Sequence, residues 1–172
     1  MKNKTGENIS YKGEVTVKLV KNGKVNKTRK THNEGSVYLF QYIANCLKGS
    51  FQQDKKPWYI RLYSVEGQSG EPLDPSTATE VTTTYLPVAS TTVGSGADED
   101  GEEYAYVEHT FIVPGTYLVQ EASANAIAIY SLENINDKSK WSAYAMLSES
   151  IGEVDAGTNA VILWKMTISN KQ

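Results

Sequence analysis

A segment near the start of the chain alternates between apolar and polar residues and predicts a β-hairpin. Residues 14–20, EVTVKLV, place three apolar side chains on one face of a strand. Asn22 and Gly23 follow, and both accept a positive φ, which suits a two-residue type I′ turn. The return strand at 24–30 has Val25 as its one clearly apolar residue. Its lysines are typical of an edge strand that is protected against aggregation.

Residues 35–48 follow the helical period and form the one segment that predicts a helix. Asn33 suits the N-cap position, and Glu34 lies favourably near the helix start. Gly49 fits the position just beyond the C-terminus. We interpret Cys46, on or beside the apolar stripe, as a small core residue, because no neighbouring histidine or electropositive setting indicates a catalytic thiol.

The rest of the chain predicts strands separated by loops. The strands are expected at residues 58–63, 81–88, 104–113, 117–119, 123–131, 141–148 and 159–169. Two long loops, at 65–80 and 89–103, are rich in Gly, Ser and Thr. Loops of about fifteen residues inside a compact domain commonly contact partners.

These elements predict a mainly β fold: a β-sandwich with an N-terminal hairpin, one short helix and long end loops. Residues 1–12 are polar and predict a flexible or partner-bound arm. Residues 13–172, including the helix at 35–48, then form a single sandwich domain, in agreement with a length of 172 residues that are 40% apolar. The chain lacks a run of about 18 apolar residues and an apolar stretch near its start, so we expect no membrane-spanning helix and no secretory signal.

Charge is distributed unevenly along the chain. Residues 1–61 contain thirteen Lys or Arg and four acids, a net charge of +9, whereas residues 62–172 contain four bases and sixteen acids, a net charge of −12. Such asymmetry either neutralises itself inside one folded domain or marks a contact between the basic face of one subunit and the acidic face of another. Nucleic-acid binding ranks third, because the basic stretch lacks interleaved aromatic residues.

No pattern in the sequence indicates a catalytic centre. The two histidines, His32 and His109, belong to no HExxH pattern, and the chain has no nucleophile elbow and no phosphate-binding glycine loop. We interpret His109, in phase with Val107 and Phe111, as a packed strand residue. The single cysteine excludes an intramolecular disulfide and a multi-cysteine metal site. We therefore predict a protein that is not an enzyme and uses no cofactor, with a hydrolase as the least favoured alternative.

Two further features allow opposing interpretations. The acidic loop at 98–103 supplies oxygen ligands of the kind that calcium prefers, but it lacks the EF-hand spacing, which favours a solvated loop. Eleven tyrosines and three tryptophans provide either core packing or exposed rings for stacking on sugars and contacting proteins. Tyr104 and Tyr106 lie in phase on one predicted strand.

The order of elements is also informative. A hairpin at 15–30 leads into His32-Asn33-Glu34-Gly35, and the chain closes on the apolar strand at 160–170. Between these segments lie Leu39-Phe40, Ile43-Ala44, Leu47-Lys48-Gly49, Pro57 and Ile60-Arg61-Leu62. This order resembles small virion structural proteins of tailed bacteriophages, which are head-associated, neck or tail components. The resemblance covers about the first 63 residues and the last dozen, and it implies a structural role without a catalytic site.

The leading hypothesis is therefore a non-enzymatic structural subunit of a bacteriophage virion, located in the capsid, neck or tail and assembled in the host cytoplasm. Its expected partners are other virion structural proteins and further copies of itself, with no membrane and no nucleic acid. The alternative is a carbohydrate-binding or adhesion β-sandwich module. The predicted partner-binding residues form a basic hairpin that docks onto the acidic loop of a neighbouring copy: Lys18, Lys21, Lys24, Lys27, Arg29, Lys30, Asp98, Glu99, Asp100, Glu102 and Glu103.

Overall fold

A computed structural model describes residues 8–47, 58–65, 78–82, 84–118, 123–152 and 157–171. Within these ranges the chain forms ten strands and one α-helix. In chain order they are β1 (Asn8–Lys21), β2 (Lys24–Gly35), α1 (Val37–Leu47), β3 (Trp58–Ser64), β4 (Thr79–Glu80), β5 (Leu86–Pro87), β6 (Ser90–Ala97), β7 (Glu103–Val113), β8 (Ala124–Ser131), β9 (Ala143–Ile151) and β10 (Thr158–Lys171).

The strands form one antiparallel sheet in the order β4-β3-β8-β9-β2-β1-β10-β7-β6, and β5 pairs with β3. The first and last strands, β1 and β10, pair over fourteen consecutive residues each. Strand β2 connects two parts of the sheet. It pairs with β1 from Lys24 to Asn33, and only Glu34 and Gly35 pair with β9. The part containing β1, β10, β7 and β6 therefore diverges from the part containing β9, β8 and β3.

The two parts of the sheet pack against each other around one core. Trp164 and Phe111 from the first part are fully buried, as are Ile60 and Ile127 from the second. The segment after β5 joins the two parts on the other side, because the Val88 amide donates to the Trp58 carbonyl and the next amide donates to a carbonyl of β7. The sheet thus curls over itself. The mainly β fold is confirmed, whereas a sandwich of two separate sheets is not, because the strand path is continuous.

The hairpin formed by β1 and β2 has the predicted turn. Asn22 and Gly23 have φ values of 51° and 75°, which both residues adopt at little cost. The predicted edge position of the return strand is wrong, because β2 lies inside the strand order between β1 and β9. Within the predicted arm at 1–12, residues 8–12 belong to β1 and pair with β10, while residues 1–7 lie outside the described residues.

Helix α1 is confirmed, but it begins at Val37 and not at Gly35. Ser36 lies before it, and its hydroxyl accepts a hydrogen bond from the Tyr38 amide at 3.2 Å. Asn33 is therefore not the N-cap. It lies in β2, is buried, and accepts a hydrogen bond from the Tyr11 hydroxyl at 2.8 Å. The backbone of Cys46 is helical, and its side chain lies outside the described residues.

Three strand and loop predictions in the middle of the chain are wrong. In the predicted strand at 81–88, only Leu86 and Pro87 have strand conformation among the described residues. The predicted strand at 117–119 begins in a 3-10 turn, Gly115–Tyr117. The predicted long loop at 89–103 contains β6, so the connection before β7 is a short turn. Of the predicted loop at 65–80, residues 66–77 lie outside the described residues, and Thr79–Glu80 forms β4.

We expect Gly13→Ala to destabilise the fold. A Cβ atom at Gly13 would lie 1.4 Å from Oδ1 of Asn33, so the buried amide would have to leave its position and its hydrogen bond with Tyr11. Overpacking of this kind costs about 1–3 kcal/mol, measured as the free energy of unfolding in urea. The control is Gly152→Ala, where a Cβ meets nothing within 4 Å. Equal stabilities for the two variants would contradict the close approach of β1 and Asn33.

Candidate interaction site

An open groove of about 400 Å³ lies on the face of β1, β10 and β7 that points away from the core. Alternate residues of β10 form the floor of the groove. Trp164 and Met166 point into the core, so the residues that alternate with them along the strand point outward. The turn after β6 forms one wall. The lining residues are Lys12, Glu14, Asp98, Glu102, Tyr104, Lys165, Thr167 and Ser169.

Glycines in β6 allow two tyrosines of β7 to lie across the neighbouring strand. Gly94 is opposite Tyr106 and Gly96 is opposite Tyr104 in the antiparallel ladder. A Cβ at Gly94 would lie 2.6 Å from the Tyr106 hydroxyl, and one at Gly96 would lie 2.8 Å from the Tyr104 hydroxyl. The rings therefore cover positions where β6 has no side chains.

The positive charge of Lys165 lies against the tyrosine rings of this surface. Its Nζ lies 4.1 Å from the centre of the Tyr106 ring and 5.8 Å from that of Tyr104, within the range of a cation–π contact. Its direct neighbours across the strands are Glu14 on β1 and Glu108 on β7. The lysine therefore lies against Tyr106, while Tyr104 lines the groove.

The groove is lined by groups that can bind a polar ligand. It combines one tyrosine ring, three hydroxyl groups, two lysines and three carboxylates. Groups of this kind donate and accept hydrogen bonds to a polar ligand. The sequence indicated Tyr104 and the two acids of the turn, but it missed the other five lining residues: Lys12, Glu14, Lys165, Thr167 and Ser169. The period-2 pattern of polar residues at the end of β10 was the available signal.

The acidic turn at 98–103 is organised by its own first residue. Oδ1 of Asp98 accepts hydrogen bonds from the amides of Asp100, at 3.0 Å, and Glu102, at 2.9 Å. Glu99, Asp100 and Glu103 are exposed to solvent. Across the described ranges, no group of three or more His, Cys, Asp or Glu side chains is arranged to hold a metal ion. The turn therefore presents several unshared negative charges at the end of the β6–β7 hairpin.

The three predicted basic residues Lys27, Arg29 and Lys30 of β2 form ion pairs with acids of other strands. Lys27 Nζ lies 2.8 Å from the Glu149 carboxylate, and this hydrogen bond is the main cause that lowers the pKa of Glu149. Arg29 donates to the carbonyls of Glu149 and Ser150 on β9. Lys30 lies 3.6 Å from Glu14, although both groups are substantially exposed. These contacts attach β2 to its neighbours.

The hairpin tip consists of the turn and the lysines beside it. Lys21 and Lys24 are exposed and flank the turn, and Lys18 is half-buried on β1. The tip lies at the start of β10, because Lys21 pairs with Thr158. The acidic turn lies at the opposite end, where Ser169 of β10 pairs with Tyr104. At about 3.3 Å per residue, these ends are about 35 Å apart. The structure therefore does not bring the tip and the acidic turn together within one chain.

His109 is a packed residue, as predicted. It is 3% exposed, its ring centre lies 5.7 Å from that of Trp58, and Nδ1 shares a hydrogen bond of 2.9 Å with the Thr91 hydroxyl. Burial lowers the pKa of His109 from 6.5 to about 4. The neutral ring therefore fixes β6 to β7. His32 lies on β2, exposed, across from Glu14.

A buried polar cluster on the other part of the sheet was not predicted. Arg61 of β3 is 6% exposed, and its Nε donates to the Thr82 carbonyl at 3.1 Å. Its Nη2 donates to the Glu80 carboxylate, which also pairs with Lys138. The guanidinium lies 4.7 Å from the centre of the Tyr85 ring. Alternation predicts an outward Arg61, and it is buried because Glu80, Thr82 and Tyr85 cover this face.

The same face holds a pair of buried tyrosines. The hydroxyls of Tyr63 and Tyr130 are 2.7 Å apart, and the second also donates to the Lys138 carbonyl. Burial raises the pKa of both phenols, so both remain protonated. We interpret this cluster as structural, because its charges are paired and it anchors β4 to β3.

Comparison with known proteins identified no relative. No protein-family model, no curated protein and no solved structure matches the chain. Among the described residues, no helix has both the length and the apolar character needed to cross a membrane.

The buried His109 predicts a specific loss of stability in mild acid. Its pKa is lower in the folded state, so the unfolded chain binds the proton first as the pH falls below 6.5. Between pH 6.5 and pH 4 this removes about 1.4 kcal/mol per pH unit from the free energy of unfolding. We expect the His109→Gln variant to lack this part of the pH dependence of the free energy of unfolding. Carboxyl groups titrate in both proteins, so the difference between the two stability curves isolates the histidine. Parallel curves between pH 7 and pH 5 would contradict it.

Proposed function

We propose that the protein is a non-enzymatic structural subunit of a bacteriophage virion, which assembles in the capsid, neck or tail with copies of itself and with other virion proteins. One observation carries this proposal: the basic hairpin tip and the acidic turn lie at opposite ends of the same sheet. The order of the elements resembles that of small virion proteins of tailed bacteriophages, and this resemblance supports a role in a phage particle. In this proposal, the facing parts of the curled sheet act as the two layers of a β-sandwich that holds both ends rigidly apart.

Charges at opposite ends favour contact between copies. The tip of one copy reaches the turn of the next copy, and the same contact then repeats along the assembly. A contact of this head-to-tail type closes into a ring or extends into a filament, depending on the rotation between copies. Single exposed ion pairs contribute about 0–1 kcal/mol, so several must act together with other contacts. The charges mainly steer association and set its register.

Charge reversal at each end tests this contact. Lys18→Glu with Lys24→Glu makes both ends acidic, and Glu99→Lys with Asp100→Lys makes both ends basic. The second pair spares Asp98, which holds the turn through two amide hydrogen bonds. We expect each variant alone to lose the salt-sensitive head-to-tail species in sedimentation velocity, and an equimolar mixture to form them again because unlike ends then meet.

Salt provides the control for the charged contact. The Debye length falls to about 3 Å at 1 M, so assembly of the unmodified protein should weaken as NaCl is added. Lys27 is left unchanged in this design, because it pairs with Glu149 and its loss would loosen β2. Unchanged assembly of the tip variant, or failure of the mixture to assemble, would refute the head-to-tail contact.

The groove beside β10 favours a second candidate function, a carbohydrate-binding or adhesion module. Its volume of about 400 Å³ and its mixture of one ring, hydroxyls and charges of both signs fit a polyhydroxylated ligand. A sugar ring would stack on Tyr104, while the surrounding polar groups exchange hydrogen bonds with its hydroxyls.

A glycan array separates this candidate from the assembly role. If the groove binds sugars, Tyr104→Ala should lower binding at least tenfold, whereas Tyr104→Phe should retain it because the ring remains. Tyr117→Ala is the matched control, since Tyr117 is exposed in a 3-10 turn and does not line the groove. No saturable binding by the unmodified protein would reject the carbohydrate function.

A further inference from the structure

Strand β6 forms an edge of the sheet that lacks the usual protection. It is last in the strand order and pairs on one side with β7, and no strand among the described residues pairs with its other side. Its eight residues, STTVGSGA, contain no charge and no proline. Seven of the eight are exposed. Natural edge strands are commonly short, charged, bulged or covered, because free amides and carbonyls pair readily with another strand.

The edge is also regular and held in place. All eight residues of β6 pair with β7 in one uninterrupted register. On one face, Tyr104 and Tyr106 lie over Gly96 and Gly94. On the other, the Thr91 hydroxyl shares a hydrogen bond with the buried ring of His109. A strand fixed from both faces loses little conformational freedom when a further strand is added.

We propose that β6 pairs with β6 of a second copy of this chain, in antiparallel orientation about a two-fold axis. Such a contact is isologous, so one uncharged edge serves both copies. The sheets of the two copies then form one continuous sheet through main-chain hydrogen bonds.

The distribution of charge around β6 favours a second copy of the chain as the partner and an antiparallel orientation of the two strands. Each strand is neutral, so two copies approach without repulsion along the ladder. The acidic turn at 98–103 follows β6 directly. In an antiparallel pair the two turns lie at opposite ends, about 27 Å apart for eight residues at 3.4 Å each, whereas a parallel pair would place them side by side. Like charges therefore disfavour the parallel arrangement.

The one large apolar side chain on this edge fits the same symmetry. Val93 is 76% exposed in the single chain. With the axis passing at Val93, the two valine side chains lie directly opposite each other on one face of the joined sheet. Cross-strand pairs of β-branched residues stabilise antiparallel sheets. This contact does not involve the hairpin tip and goes beyond the head-to-tail contact proposed above.

The test uses the full chain in 1 M NaCl, where the charged contact is screened. We expect sedimentation velocity to show a monomer–dimer equilibrium. Amide hydrogen exchange of residues 90–97 should slow at least tenfold as the protein concentration rises. Val93→Lys places a charge on the edge and should remain monomeric with unchanged exchange. Val37→Lys, at a site on α1 that is 60% exposed, is the matched control and should dimerise normally.

Further variants keep the two proposed contacts distinguishable. The variant with Lys18 and Lys24 reversed should still dimerise, because β6 is unaltered. Ser95→Lys provides a second edge variant, and circular dichroism checks that each variant is folded. The β6 pairing is refuted by a monomer at all concentrations, by a dimer that persists in both edge variants, or by protection of residues 90–97 that needs a foreign protein.

Discussion

The pairing of the first and last strands is the constraint on which the rest of the structure depends. Strands β1 and β10 contact each other over fourteen residues each, and each then pairs with a further strand, β2 or β7. Bringing such distant segments together costs loop-closure entropy. The apolar face of this ladder repays the cost, since Val15, Val17, Ile162 and Trp164 are almost completely buried. The groove lies on the outer face of the same ladder, and the basic hairpin tip and the acidic turn lie at its two ends.

The curl of the sheet follows from the way in which β2 leaves this ladder. Its backbone pairs with β9 at two residues only, so the strands separate towards the hairpin tip. Side chains bridge that widening gap: Thr31 donates to the Met146 carbonyl at 2.8 Å, and Arg29 donates to two carbonyls further along β9. Basic residues that looked like protection for an edge therefore satisfy backbone groups that the ladder no longer reaches.

The alternation of apolar and polar residues predicted the strands that bury one face. It did not predict a strand whose position depends on pairing with the neighbouring strand. Strands β3, β7, β8, β9 and β10 were predicted within three residues of their observed bounds from their apolar residues, whereas β1 begins six residues earlier and β2 ends five residues later than the predicted hairpin strands. Strand β6 has one large apolar residue, Val93, so no pattern marks it. Its partner strand supplies Tyr104 and Tyr106, which cover its glycines. Likewise, the groove requires a register between β1, β7 and β10 that no local pattern contains.

The uneven distribution of charge along the sequence is only partly retained in the folded structure. Pairing of chain segments brings basic and acidic residues together where β2 meets β9 and β1, so Lys27, Arg29 and Lys30 are compensated by Glu149 and Glu14. The hairpin tip and the acidic turn lie at the two ends of the β1–β10 ladder, and the ladder itself keeps those ends apart. An isolated domain that merely required solubility would gain more from interspersed charges than from opposed ends. The neutral strand β6 lies along the side between them, so the two proposed contacts would use separate surfaces and could form independently.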